Sequence, residues 1–393
     1  MNYDRYLNQR ISSVPPSGIR RFFDLAASQK DTISLGVGEP DFKTPYIIRD
    51  AAINSLVDGE TQYTANRGLL ELRQEISLYL SERYHLSYRP ENEILVTIGA
   101  SEAIDLALRA LVSPGDEVLI PDPSYVSYAP GVVFAGGKPV GVPTRQENDI
   151  RLQAEDLESA VNSRTKLLIL PYPNNPTGAI METGDLNRIA EVVRKHDLMV
   201  ISDEIYSELI YDDHIHVSFA SVPDMVSRTV TINGFSKAFA MTGWRVGYAC
   251  APSPVIEVMN KIHQYAIMCA PRQGQIAAVA ALRTGRETNY ESVRTMRDSY
   301  DRRRRLMVSA FRDMGLECFE PFGAFYVFPS IRSTGLSSEE FCSRLIREKQ
   351  VAAVPGTAFG PSGEGHIRCC YATAVDKINL ALDRIADFVS ANT

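Results

Sequence analysis

From about residue 47 to 285 the chain alternates short apolar runs with stretches whose apolar positions recur every three or four residues. The strand candidates are 94–97, 117–120, 167–171, 199–203, 230–232 and 246–250. Several are almost wholly apolar, the pattern of strands covered on both faces. Between them, 101–111, 184–196 and 254–268 carry the helical period. This alternation predicts a mainly parallel sheet with helices on both sides. Ahead of it, residues 1–30 read as a polar arm with an amphipathic stretch over 19–28, followed by a short strand at Ile33 running into the loop Glu39, Pro40, Asp41.

After about 286 the pattern changes. A long charged helix is predicted over 290–314. Apolar segments at 324–328, 352–354 and 367–372 then alternate with helices near 337–349 and 376–390. The expected organisation is an arm with part of a small domain over 1–46, a large domain over 47–285 and a smaller α+β domain over 286–393. Arg302, Arg303, Arg304 and Arg305 form a basic run inside the long helix, expected as a solvated face.

Composition narrows the function classes. With 41 basic and 48 acidic residues the net charge is −7, without the basic excess of a nucleic-acid binder. No apolar run approaches the length of a membrane span. The first ten residues are polar, unlike a secretory leader, and the six cysteines show neither a CxxC pair nor metal-finger spacing. A reduced cytoplasmic protein without a metal site is expected.

Four segments carry candidate chemistry. Lys237 follows a predicted strand in a Ser- and Gly-rich loop, beside Phe235 and Phe239, with Arg245 eight residues on. A desolvated lysine can act as a nucleophile that forms a Schiff base. Alone, the loop also fits a buried structural lysine. Asn174, Asn175, Pro176, Thr177 and Gly178 make a turn after a strand, where parallel sheets bind ligands. Asp203 ends an apolar strand, and Tyr206 follows three residues later. A buried acid there needs a cationic partner. Gly99, Ala100 and Ser101 open a helix whose free N–H groups suit an anion such as phosphate.

Together these motifs resemble the class I/II aminotransferases of the fold-type I pyridoxal-phosphate enzymes, over about residues 33–388. The order Asn-Asn-Pro-Thr-Gly, Ser-Asp-Glu-Ile-Tyr, Ser-Lys, with spacings of 28 (Asn175 to Asp203) and 34 (Asp203 to Lys237), is specific as a set. The resemblance implies a large α/β domain with a seven-stranded sheet plus a smaller α+β domain. It implies that Lys237 carries pyridoxal 5′-phosphate and moves a proton at the substrate Cα. Asp203 would pair with the ring nitrogen, and Asn175 and Tyr206 would hydrogen-bond the phenolic oxygen. Tyr125 would stack on the ring. Gly99, Ala100, Ser101 and Arg245 would hold the phosphate, helped by Tyr63 from a neighbouring subunit in a homodimer. Arg368 would grip the substrate α-carboxylate, with Gly38 and Asn175 beside it. The expected activity is ping-pong transfer of an amino group from an L-amino acid to a 2-oxo acid, 2-oxoglutarate foremost. The Ser17–Phe22 segment leans toward the N-acetyl-diaminopimelate, aromatic and aspartate branch. Many relatives place Ser or Thr three residues before the lysine; this chain has Gly234, and Ser236 is the expected substitute contact.

Three rivals are weighed. A C–S lyase, or a synthase resembling aminocyclopropanecarboxylate synthase, would use the same cofactor motifs. A ligand-sensing regulator would need a DNA-binding domain, for which the short arm leaves no room. His214 and His216 are expected in a surface loop, Cys369 and Cys370 as core thiols, and Trp244 packed beside the Arg245 turn. For a distal carboxylate on the acceptor, Arg20, Arg21 and Arg272 are the candidate cations.

Overall fold

The computed structural model describes residues 1, 3–19, 22 and 31–393; the predicted amphipathic stretch over 19–28, and Arg20 and Arg21 with it, fall largely outside these. Among the described residues twelve strands follow in chain order: β1 Ile33–Ser34, β2 Ile94–Thr97, β3 Glu117–Asp122, β4 Lys138–Pro143, β5 Thr165–Leu170, β6 Met199–Asp203, β7 Thr229–Gly234, β8 Gly247–Cys250, β9 Tyr326–Val327, β10 Val351–Ala352, β11 Val354–Pro355 and β12 Ile367–Cys370.

Seven of them form one sheet in the order β2-β8-β7-β6-β5-β3-β4. The run from β7 to β4 is parallel; β8 is antiparallel to both of its neighbours, β7 and β2. The inner strands are buried along most of their length, which is why they read as near-continuous apolar runs. β4 escaped the sequence reading. It is an edge strand in which Lys138, two prolines and a glycine surround Val140 and Val142, and half its residues are exposed, so no apolar run marks it and the prolines speak against a strand. Helices Gly99–Leu111, Thr183–Lys195 and Ser253–Ala266 pack their apolar stripes on the sheet and start within two residues of expectation.

Beyond residue 290 a three-stranded sheet, β11-β12-β9, and β10, which pairs with β1 from the N-terminal segment, gather a separate core. It is closed by helices Glu291–Asp313, Ser338–Lys349 and Val375–Ser390. Leu35, Tyr206 and Leu209 join this core, so the segment after β1 and the loop after β6 are packed against it.

The arginine run corrects the sequence reading. Arg303 and Arg304 lie on the inner face of the long helix, with Met296, Tyr300, Met307 and Phe311. Arg304 is fully buried and ion-paired to Asp212, Asp301 and Glu320, and Arg303 pairs with Asp41 at 2.8 Å. Carboxylates brought from other parts of the chain admit these charges to the interior; only Arg302 and Arg305 are exposed. His216 departs similarly, since it is enclosed and bonded to Glu204 at 2.9 Å.

Candidate active site

Parallel strands β3, β5, β6 and β7 deliver their C-terminal ends to one edge of the sheet. β2 ends and β8 begins at the same edge, through the pair Thr97–Gly247. A cavity of about 890 Å³ opens there. Loops leaving the carboxyl ends of parallel strands build such sites because their backbone is free of the ladder.

Lys237 lies just beyond β7. Its Nζ donates to the carbonyl of Gly38 at 2.6 Å and lies 5.7 Å from the Tyr206 ring and 5.3 Å from the Phe325 ring. Desolvation lowers its pKa from 10.5 to about 8, aided by the charges of Arg368 and Arg245 and opposed by Cys370 and Glu39. A neutral, nucleophilic amine is therefore accessible near neutral pH.

Asp203 closes β6 and is buried. Its Oδ2 accepts from the Tyr128 hydroxyl at 2.8 Å and its Oδ1 from the Ile205 N–H at 3.2 Å. Among the described residues no cation lies within ion-pairing distance. Burial raises its pKa from 3.8 to about 6, the two hydrogen bonds pulling the other way. Tyr206 is buried, with its hydroxyl 3.0 Å from that of Tyr326; burial first, then Tyr326, raise its pKa well above 10.

Arg368 stands on β12, the middle strand of the smaller sheet, and is buried. It donates through Nη1 to Asn175 Oδ1 at 2.8 Å and through Nη2 to the Gly36 carbonyl at 2.5 Å. Its Nε is buried without a hydrogen-bond partner. The rings of Tyr326 and Phe359 lie 4.4 and 4.8 Å from the guanidinium carbon.

The anion end of the cavity is built on the helix Gly99–Leu111, which has no side-chain cap. Gly99 has φ +70°, and a Cβ there would lie 2.5 Å from Arg245 Nη2. Only glycine allows Arg245 this close to the helix start. Arg245 itself is left-handed at φ 54°, a strained conformation for a residue with a side chain. Ala100, Ser101, Ser236 and Tyr125 share the cavity wall. The departure at Gly234 has a local cause: a Cβ there would meet Gly247 Cα and the Val246 carbonyl oxygen at 3.0 Å, so β8 occupies the space of a side chain.

Lys237, Asp203, Tyr206, Asn175, Arg245, Arg368, Gly38 and Tyr125 all reach this one cavity. Tyr63 does not: it is 77% exposed and absent from the wall. Arg272 is also elsewhere, bonded to Glu60. Sequence reasoning missed Tyr128, Tyr326, Phe359 and the Glu39–Thr242 hydrogen bond. Tyr128 was within reach, because it follows Tyr125 by only three residues, at the start of the next helix, and their rings meet edge to face at 5.6 Å. Tyr326 and Phe359 come from a distant segment and carry no local signal. Trp244 bonds Thr44 through Nε1 at 3.0 Å, and Cys369 and Cys370 are free and buried in β12.

A family model described as Aminotransferase class I and II matches residues 30–385. A putative aminotransferase of Bacillus subtilis (strain 168) is 52% identical over 388 residues, covering 99% of each chain. An aspartate aminotransferase of Pyrococcus abyssi (strain GE5 / Orsay) is 48% identical over 379 residues, covering 96% of this chain and 97% of its own. The crystal structure of an aromatic aminotransferase from Pyrococcus horikoshii OT3 superposes with a TM-score of 0.90 at 47% identity, covering 94% of this chain and 99% of that one.

Proposed function

The chain belongs to the class I and II aminotransferases, pyridoxal-phosphate-dependent transaminases, and from that premise we propose that it moves an amino group from an L-amino acid to 2-oxoglutarate by a ping-pong mechanism. The observation that carries the reading is the content of one cavity: a desolvated lysine, a buried acid lacking a cation, and a buried arginine with a free Nε.

The cavity fits pyridoxal phosphate. An uncapped helix start beside Arg245 suits the phosphate, and the uncompensated Asp203 suits a protonated ring nitrogen. When bound, the cofactor supplies an aldehyde that takes up the amino group and a ring that stores the electron pair released at the substrate Cα. Lys237 holds the cofactor covalently at rest and carries the proton at Cα. Asp203 keeps the ring nitrogen protonated, and Tyr128 and Ile205 hold that carboxylate in place. Asn175 and Tyr206 hydrogen-bond the phenolic oxygen. Tyr125 covers the ring face. Gly99, Ala100, Ser101, Ser236 and Arg245 hold the phosphate, joined by Tyr63 of the partner subunit in a cytoplasmic homodimer. Arg368 takes the α-carboxylate beside Asn175 and Gly38. Residues 47–285 form the large domain, 286–393 the small one, and 1–46 the arm.

The donor belongs to the aspartate, aromatic or N-acetyl-diaminopimelate class, the names borne by relatives. A donor panel tests the reading. Each active donor should yield its 2-oxo acid in step with glutamate, and only a single turnover's worth when 2-oxoglutarate is left out. Continuous ammonia or pyruvate release without an acceptor would mark a lyase instead.

A further inference from the structure

Asp122 ends β3, three residues before Tyr125. Its carboxylate faces a distant segment. Oδ2 accepts from the Ser362 N–H at 3.3 Å and from the Ser362 hydroxyl at 3.1 Å. Oδ1 is buried without a hydrogen-bond partner and abuts Gly360, where a Cβ would fall 1.8 Å away. Among the described residues no cation pairs with it. A second tie runs alongside, from the Ser124 N–H to the Phe359 carbonyl at 3.0 Å. The two ties bracket residues 359–362. At the head of that segment the Phe359 ring lies against the Arg368 guanidinium, at 4.8 Å.

We propose that Asp122 is a positioning residue for substrate: by clamping residues 359–362 to the end of β3 it seats Phe359 against Arg368 and fixes the plane in which the guanidinium meets a carboxylate. The inference rests on the reading of Arg368 as the carboxylate-binding residue. A guanidinium grips a carboxylate best through two parallel hydrogen bonds, which demand a set plane. An aromatic face against it restricts rotation out of that plane. Among the described residues Arg368 is otherwise held through Nη1 and Nη2 alone, so the ring contacts complete its alignment. The clamp asks position 122 for an acceptor oxygen of the right reach. An amide supplies one; a methyl group does not.

Steady-state kinetics of the loaded enzyme test this. Both substrates present the same carboxylate, so both KM values should rise together. In Asp122→Ala and Phe359→Leu the expected rise is about tenfold, with kcat within about twofold and cofactor affinity unchanged. Asp122→Asn should rescue, keeping both KM values within about threefold of the parent. Ser362→Ala, which loses only the hydroxyl bond, should move KM slightly in the same direction, and with Phe359→Leu it carries the test if Asp122→Ala does not fold. A fall in kcat at unchanged KM, no effect of Phe359→Leu, or Asp122→Asn as damaged as Asp122→Ala would overturn the proposal. Arg368→Ala separates the two claims. If it leaves both KM values unchanged, the carboxylate assignment fails; if it raises them while Phe359→Leu and Asp122→Ala do not, only the positioning role fails.

Discussion

At the scale of single residues the site is governed by desolvation. Lys237 and Asp203 are displaced in opposite directions, down to about 8 and up to about 6, because burial disfavours whichever form is charged. Each displacement stores free energy that a bound partner can release: a covalent bond for the amine, a cationic ring nitrogen for the acid. The lysine gives a measurable consequence for the cofactor-free protein. Its folded pKa lies below the 10.5 of the unfolded chain. Between these values the unfolded chain binds more protons, so stability rises with pH from about 8 to 10.5 and is lost as pH falls back over that range, gone once pH drops below the folded value. Lys237→Met removes this contribution. Its stability advantage over the parent should therefore shrink by on the order of 3 kcal/mol between pH 8 and 10.5, measured by denaturant unfolding. An advantage that stays flat across that range would mean that the amine is not desolvated.

At the scale of elements, the parallel strands and their helices were legible because burial on both faces leaves continuous apolar runs, as at Thr165–Leu170 and Met199–Asp203. The site residues on the strand ends were legible for the same reason: Asp203 is an acid closing such a run. What the sequence concealed depends on partners far along the chain. Arg303 and Arg304 read as surface until Asp41, Asp212 and Glu320 are folded onto them. Tyr326 and Phe359 reach Arg368 only through the smaller sheet. The junction of β8 with the helix Gly99–Leu111 is another such contact. A Cβ on Gly247 would lie 2.5 Å from both the Ala100 nitrogen and the Gly99 carbonyl carbon. Gly247→Ala must displace the helix start from β8 and so disturb its fit beside Arg245. Affinity for pyridoxal phosphate should fall at least about tenfold, and Lys237 reactivity should change little. Equilibrium dialysis of the refilled protein measures this; unchanged affinity would separate the helix start from phosphate binding.

At the scale of the whole molecule, one chain brings the proposed groups to the cavity wall or, for Gly99, to the helix start beside Arg245, whereas Tyr63 stands 77% exposed away from the cavity. The proposed homodimer accounts for that by sharing its sites. Chains carrying Tyr63→Ala, mixed with Lys237→Ala chains, should regain activity, because one of the two hybrid sites takes Lys237 and Arg245 from the first chain and Tyr63 from the second and is intact. Absence of rescue after demonstrated chain exchange would mean that each site is self-contained. The account as a whole turns on Lys237 as the cofactor's covalent anchor, and borohydride reduction of the loaded enzyme followed by peptide mapping tests it most directly. The cofactor should be found fixed to the peptide containing Lys237 at close to one per chain, and a label on any other lysine would contradict the account.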